Sequence, residues 1–150
     1  MNESLNFPET ILDLKRLDGK EMVFDLIRKK YVVAGPEELV RQHLIHFLID
    51  HRSFPKGLLS VEREFHINGR KKRFDLLVFD SAGKALLVAE CKAPSVPIDQ
   101  KTFEQISVYN IPLQVPYWFL TNGHIHYSCA FDVEKKTIKL LDDLPFYDSL

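Results

Sequence analysis

The stretch from Arg73 to Lys92 constrains the fold most strongly, because its sequence, RFDLLVFDSAGKALLVAECK, has the pattern of two β-strands joined by a tight turn. The turn falls at Ser81-Ala82-Gly83, and the segments on both sides are rich in Leu, Val and Phe. Successive side chains of a strand point to opposite faces of a sheet. We therefore predict that Glu90 and Lys92 project from one face at the end of the second strand.

The polar residues of this hairpin indicate a candidate site. Asp75 lies on the first strand, where it can approach Glu90 on the second, and Lys92 follows one strand step later. Carboxylate oxygens are the ligands that hard cations prefer, and a neighbouring ammonium stabilises charge on a phosphate. The set favours metal-dependent phosphodiester chemistry. The same spacing also arises by chance in many chains, so an ordinary polar cluster is the alternative.

Length and composition limit the class of protein. The 150 residues are 45% hydrophobic and 27% charged, which predicts one globular domain, residues 1–150, with a sizeable core. The longest apolar run, 85–89, is too short to span a bilayer, and the N-terminus lacks the pattern of a signal peptide. Cys91 and Cys129 are too few for a disulfide framework. These features predict a cytoplasmic protein.

Periodicity and turn signals predict the remaining elements. Asp18-Gly19 indicates an N-terminal β-hairpin within residues 1–35, and Asn68-Gly69 joins a further strand to the central hairpin. The other predicted elements are a helix from Pro36 to about His51, a strand at 59–67, a helix from about Gln100 to Asn110 that Asp99 caps, and strands at 115–121 and 125–131. This order predicts an α/β (α+β) fold with a central mixed sheet of about five strands flanked by helices.

Four consecutive cations, RKKR at 70–73, precede Asp75. Such a run is either a solvated strand edge or a patch that steers phosphates, and both readings stay open. The formal net charge of −1 argues against a broadly basic surface, so any phosphate binding would depend on a local patch. Lys72 and Arg73 are the candidate contacts closest to the acids in sequence.

Five short motifs occur in order along the chain. They are PEELVRQ at 36–42, RFDLLVFD at 73–80, AECKAP at 89–94, QISVYN at 105–110 and FLTNG at 119–123. Together they resemble the N-terminal endonuclease domain of type I restriction enzyme R subunits, within the PD-(D/E)xK nuclease superfamily, and especially its small stand-alone versions. The resemblance runs from about Val23 to Pro145 and implies a restriction-endonuclease-like core.

The resemblance implies roles for the hairpin residues. Asp75 matches the first metal-binding acid, Glu90 the second, and Lys92 the lysine of the E-x-K element. The implied cofactor is Mg²⁺ or Mn²⁺, held by Asp75, Glu90 and the backbone carbonyl of Cys91. Phe74 departs from the superfamily pattern, which has Pro before the Asp.

Two further positions follow from the resemblance. Gln105 and Tyr109 match a Q-x-x-x-Y element and would position backbone phosphate or the lysine. Glu38 matches the acid of the first helix, whereas the helical period places Glu37, not Glu38, over the apolar face. The choice between these two glutamates is open at the level of sequence.

The implied function is a metal-dependent DNA endonuclease that leaves a 5′-phosphate. The implied partners are DNA and further restriction or repair subunits, without a membrane, and a dimer is compatible with the sequence. A chain of 150 residues leaves no room for a helicase motor, so ATP-driven translocation is not expected. The alternative is a catalytically inactive nuclease-fold domain that binds DNA or a partner protein.

Overall fold

The computed structural model of the chain describes residues 4–132 and 134–150. Within these ranges it contains two α-helices and nine strands, which are numbered in chain order. The strands are β1 Leu14–Leu17, β2 Lys20–Asp25, β3 Lys30–Val33, β4 Leu59–Ile67, β5 Arg70–Phe79, β6 Ala85–Cys91, β7 Tyr117–Thr121, β8 His126–Asp132 and β9 Thr137–Leu141. The helices are α1 Pro36–Arg52 and α2 Gln100–Leu113, and short 3-10 turns cover Lys56–Leu58 and Tyr147–Ser149.

A mixed sheet forms the centre of the molecule, in the order β4-β5-β6-β7-β8-β9. The pair β6 and β7 is parallel and every other neighbouring pair is antiparallel. Parallel neighbours require a crossover connection, and α2 supplies it. The predicted α/β (α+β) architecture is confirmed, and β9 adds a strand to the predicted number of about five.

The two helices cover opposite faces of this sheet, as strand alternation requires. Leu87 and Ala89 of β6 belong to the buried cluster that contains Leu44 of α1. Val88, between them, belongs to the second cluster, which contains Ile106 of α2. Full burial of a large aliphatic side chain contributes roughly 1.5–3 kcal/mol, so both faces hold substantial parts of the core.

Local signals explain most element boundaries. The predicted turns at Asp18-Gly19 and Asn68-Gly69 are present, and all four residues have φ between 51° and 77°, the conformation that a tight hairpin turn demands. Asp99 caps α2, since its carboxylate accepts the Thr102 N–H. The helix continues three residues beyond the predicted Asn110.

Strand β7 starts at Tyr117, two residues later than predicted. Val115 is buried and apolar as a strand residue would be, but the Asn110 side chain bonds both its N–H and its carbonyl, at 2.8 and 3.0 Å. A backbone whose polar groups are already bonded has no need of a strand partner. The Asn110 side chain therefore takes the place of the hydrogen bonds that a neighbouring strand would make to Val115.

The N-terminal region forms a three-stranded sheet, β1-β2-β3, where the sequence predicted a hairpin. The additional strand, β3, pairs with β2 in a register that places Val32 opposite Val23 and Tyr31 opposite Phe24. Its four residues are too few to show a strand period on their own. Within the described ranges, neither helix is long and apolar enough to cross a membrane.

Candidate active site

Asp75 and Glu90 lie where the pairing of β5 and β6 ends. The ladder joins Leu76 to Ala89, and beyond that pair the side chains take over the bonding. Asp75 Oδ2 accepts the Cys91 N–H at 2.7 Å, and the Asp75 N–H donates to Glu90 Oε1 at 3.4 Å. The two carboxylates are thereby held together at one end of the central hairpin.

Both carboxylates are costly to ionise in this position. Burial raises the pKa of Asp75, and burial together with the charge of Asp75 raises the pKa of Glu90 to about 7. Their side chains are 21% and 13% exposed. A cation placed close to both carboxylates would offset this cost, because it favours their ionised forms.

Two lysines face this negative charge. Lys92 follows the end of β6, and its backbone N–H donates to the Thr121 carbonyl at 2.8 Å. Its ammonium charge lowers the pKa of both Asp75 and Glu90, against the effect of burial. Lys72 Nζ lies 4.0 Å from Glu90 Oε2. The structure thus brings the predicted lysine and one cation of the RKKR run to the two acids.

Tyr109 of α2 lies beside Lys72. The Lys72 ammonium is 5.2 Å from the centre of the Tyr109 ring, a cation–π distance, and Tyr109 packs edge-on against Phe74. Gln105, one helical turn earlier, is exposed. Arg73 instead contacts Glu64 at 3.0 Å on β4. Of the four predicted substrate contacts, Lys72 and Tyr109 thus lie together on the Glu90 side of the site.

The two acids of α1 differ in their surroundings. Glu38 is 12% exposed and accepts from Arg28 Nη2 at 2.5 Å and from Arg41 Nε at 2.9 Å. Glu37 is more exposed, but desolvation of its carboxylate by the surrounding protein, together with the charge of Asp75, raises its pKa. The structure places Glu38 in a network of arginines and Glu37 in the electrostatic field of Asp75.

Sequence reasoning did not single out Arg28 or Arg41. Arg41 lies three residues after Glu38 in the PEELVRQ motif, and residues at this spacing are neighbours on a helix surface. The sequence could therefore have indicated an ion pair between them. Arg28 offered no such signal, because it precedes α1 and reaches Glu38 only through the fold.

The donor set has the chemistry of a hard-cation site. In residues 4–132 and 134–150, no group of three or more His, Cys, Asp or Glu side chains is arranged to hold a metal ion. The set expected from the sequence is smaller, with two carboxylates and one backbone carbonyl. Its two acids are partly buried and close together, and oxygen ligands of this kind suit a hard divalent cation.

Comparison with known proteins gives one family match. The family described as the Type I restriction enzyme R protein N terminus (HSDR_N) matches residues 36–145, which include every predicted site residue. No curated protein matches the chain.

Two solved structures are similar to parts or most of the chain. The fragment of a candidate HsdR subunit of a type I restriction enzyme from Vibrio vulnificus YJ016 is 24% identical, with a TM-score of 0.44 over 60% of this chain. The match spans only 19% of that protein's chain. A candidate nuclease belonging to DUF820, from Anabaena variabilis ATCC 29413, is 12% identical with a TM-score of 0.46, covering 96% of this chain and 88% of that one.

Proposed function

Because this chain belongs to the type I restriction enzyme R protein N-terminal family, we propose that it is a divalent-metal-dependent DNA endonuclease domain. Its catalytic residues are Asp75, Glu90 and Lys92. The observation that carries the proposal is a pair of partly buried carboxylates on adjacent strands, with a lysine charge acting on both. Ordinary surface acids are solvated and do not require a cation, whereas these two are poorly solvated.

A hard divalent cation, Mg²⁺ or Mn²⁺, is the proposed cofactor. Asp75, Glu90 and the Cys91 carbonyl would hold it, since oxygen ligands suit such ions. When bound, the cation would neutralise charge on the scissile phosphate and lower the pKa of a water molecule. The carboxylates' own contribution is to present negative charge in a place where water screens it weakly.

Lys92 would act on the reacting phosphate. A compact ammonium can orient the attacking water or stabilise the charge that develops on phosphate oxygens. The bond from its backbone N–H to the Thr121 carbonyl fixes the start of its side chain to the neighbouring strand. We propose Glu37 as an additional acid at the site, because its charge and that of Asp75 influence each other.

DNA is the proposed substrate, and Lys72, Arg73, Gln105 and Tyr109 are its proposed contacts. Lys72 is supported by its position between Glu90 and the Tyr109 ring. Arg73 is 58% exposed and would reach phosphates farther along the β4–β5 hairpin. Further restriction subunits are proposed as partners and the cytoplasm as the location, because the family is part of a restriction enzyme and DNA is the proposed substrate.

Cleavage assays test the proposal directly. Supercoiled, nicked and single-stranded DNA would be incubated with the protein and Mg²⁺ or Mn²⁺. The wild type should cut at least one of these substrates, and Asp75→Asn or Glu90→Gln should abolish both cleavage and calorimetric Mn²⁺ binding. Asp142→Asn is the matched control, because Asp142 is an exposed acid just beyond β9, three strands from β6.

The control variant should bind Mn²⁺ and cut DNA as the wild type does. If neither acid substitution changes Mn²⁺ binding, the proposed metal site is refuted. If the wild type cuts none of the DNA forms with either metal, a binding module without nuclease activity becomes the better description.

A further inference from the structure

Arg41 is a charged side chain that is almost fully enclosed beside the candidate site. Its side chain is 7% exposed, yet it contacts acids from three elements. Its Nε lies 2.9 Å from Glu38 on α1, its Nη2 lies 3.3 Å from Glu62 on β4, and its Nη1 lies 3.7 Å from Asp75 Oδ1 on β5. An arginine side chain enclosed in this way has little exposed surface left for contact with a DNA backbone.

Arg41 also contacts the main chain of Asp75. Its Nη1 lies 3.5 Å from the Asp75 carbonyl oxygen, so one nitrogen approaches both the backbone and the carboxylate of the same residue. The planar guanidinium presents several donors in a fixed geometry, which lysine cannot reproduce. The contact therefore constrains the direction of the Asp75 side chain as well as its charge.

The strand next to Asp75 is distorted where Arg41 enters. The β4–β5 ladder joins Val61 to Leu76 and Arg63 to Phe74, but the intervening positions, Glu62 and Asp75, are not paired. Glu62 has a φ of 56°, which is unusual for a residue with a side chain in a strand. This interruption leaves the Asp75 carbonyl available to Arg41 and turns the Glu62 carboxylate to the same guanidinium.

The N-terminal sheet is joined to this arrangement by Arg28. Its guanidinium lies 2.5 Å from Glu38 Oε1 and contacts Asp25 at the end of β2. Glu38 is consequently shared between Arg28 and Arg41. A continuous chain of ion pairs runs from the N-terminal sheet through α1 to Asp75.

We propose that Arg41 is a positioning residue that fixes the Asp75 carboxylate in its working orientation, and that Arg28 supports it through Glu38. Asp75 uses one oxygen to accept the Cys91 N–H while the other faces Arg41. Held from both sides, the carboxylate is restricted in its rotation. The inference deepens the proposed function, since it assigns the orienting group for one of its acids.

The orientation can be measured without any cleavage. The Cys91 N–H donates to Asp75 Oδ2, so hydrogen exchange and the proton chemical shift of this amide report whether the carboxylate stays in place. In the metal-free protein, Arg41→Met should raise Cys91 amide exchange by about tenfold or more relative to the Leu87 and Ala89 amides of the same strand. The Cys91 proton signal should move upfield.

Two further variants extend this measurement. Arg41→Lys keeps the charge and is the milder change, and it should show the same selective effect at Cys91 because a compact ammonium lacks the planar, widely spaced donors of the guanidinium. Arg28→Met should give a smaller selective increase. Arg52→Met is the matched control, since Arg52 is also a partly buried, ion-paired arginine of α1 but contacts Asp143 and the Leu144 carbonyl.

Arg52→Met should leave the Cys91 amide unchanged relative to its neighbours. Unchanged relative exchange and shift in both Arg41 variants would overturn the proposal, whether or not the protein cuts DNA. An Arg28→Met variant identical to the wild type at Cys91 would overturn the supporting role of Arg28.

A kinetic test applies if the wild type cuts DNA. Arg41→Lys should then lower kcat by about tenfold with KM for DNA unchanged, since positioning acts on the chemical step. A raised KM with unchanged kcat would instead identify Arg41 as a DNA contact and overturn the assignment.

Discussion

Glu37 and Glu38 are neighbours in the chain, but their carboxylates lie in different surroundings. The Glu38 carboxylate accepts hydrogen bonds from both Arg28 and Arg41, and it also accepts one from Gln42 Nε2. Glu37 is exposed, and the charge of Asp75 influences its pKa. One residue of displacement on a helix turns a side chain by about 100°, which is enough to direct two neighbouring carboxylates to different surroundings.

Substitution of these glutamates should separate the two roles. Glu38→Gln should lower the free energy of unfolding by about 1–3 kcal/mol, because it leaves two partly buried arginines without a full counter-charge. Glu37→Gln should change it by less than about 0.5 kcal/mol, as for other exposed positions. Urea denaturation of the metal-free proteins measures both values.

The activity of the same variants gives the second half of the comparison. Glu37→Gln should slow cleavage, since it removes a charge that interacts with Asp75 and Lys92. Equal stability losses in the two variants would contradict the distinction between them.

Lys92 is a second residue whose role can be isolated. Lys92→Ala should slow cleavage by about 10²–10⁴-fold, the usual contribution of a positioned charge-stabilising or proton-transfer group, while DNA and Mn²⁺ still bind. Single-turnover rates at saturating DNA measure the effect. Lys84→Ala, at the exposed turn of the same hairpin, is the control and should cut at the wild-type rate. A wild-type rate for Lys92→Ala would reduce Lys92 to a phosphate contact.

At the scale of elements, the turn between β7 and β8 supports the segment that carries Lys92. The Thr121 carbonyl accepts the Lys92 N–H, and the buried Asn122 side chain donates to the Val96 carbonyl at 3.0 Å. The Asn122 amide oxygen accepts the His124 and Ile125 N–H groups. The FLTNG motif therefore ties the loop after β6 to the end of β7.

Removing the Asn122 side chain should loosen that loop. Asn122→Ala should cost about 1–3 kcal/mol of stability, because three partly buried backbone groups lose their partners. Hydrogen exchange should increase at Lys92 and Val96 more than in the centre of β6. Asn110→Ala is the matched control, since Asn110 is equally buried and bonds Val115 at the far end of α2. It should lower stability by a similar amount without a selective effect at Lys92.

At the scale of the whole molecule, the N-terminal sheet is tied to the central domain by buried charge. The Asp25 carboxylate is fully buried and accepts from the Ile27 and Arg28 N–H groups as well as from the Arg28 guanidinium. Arg28 in turn reaches Glu38 of α1. The stability of the sheet is consequently coupled to the region that holds Asp75.

This arrangement predicts a specific acid sensitivity. Burial alone would raise the pKa of Asp25, but the hydrogen bonds from Arg28 and Ile27 outweigh burial and hold it below the ordinary value of 3.8. A carboxyl with a lowered folded pKa contributes stability above its unfolded pKa, and the contribution is lost as pH falls through the folded pKa. The free energy of unfolding should therefore decrease below about pH 4.

Thermal unfolding of two variants checks the assignment. Asp25→Asn should be less stable than the wild type at pH 7 and should show a shallower loss of Tm between about pH 4 and pH 2. Asp18→Asn, in the exposed β1–β2 turn where Asn is equally suited, should keep the wild-type pH profile. A wild-type slope in Asp25→Asn would show that other carboxyls govern the acid transition.

Local patterns in the sequence were sufficient to predict most helices, strands and turns of the fold. The limits of β4 and the start of α1 match their predictions, and so do the two hairpin turns, because strand alternation, Pro36 and the Asp-Gly and Asn-Gly pairs act over a few residues. The same alternation separates Ala89 from Val88 between the two core clusters. The motif order identified the family that the later comparison supports.

Only the tertiary structure decided which side chains meet. The sequence could not pair Arg28 with Glu38, or place Arg41 against Asp75, because these contacts join elements whose relative positions depend on packing of the whole core. It also could not reveal β3, whose four residues become a strand through pairing with β2. The sequence alone determined the local conformations and the residues that carry charge, whereas the surroundings of those charges, and hence their pKa values and contacts, were set by distances through space.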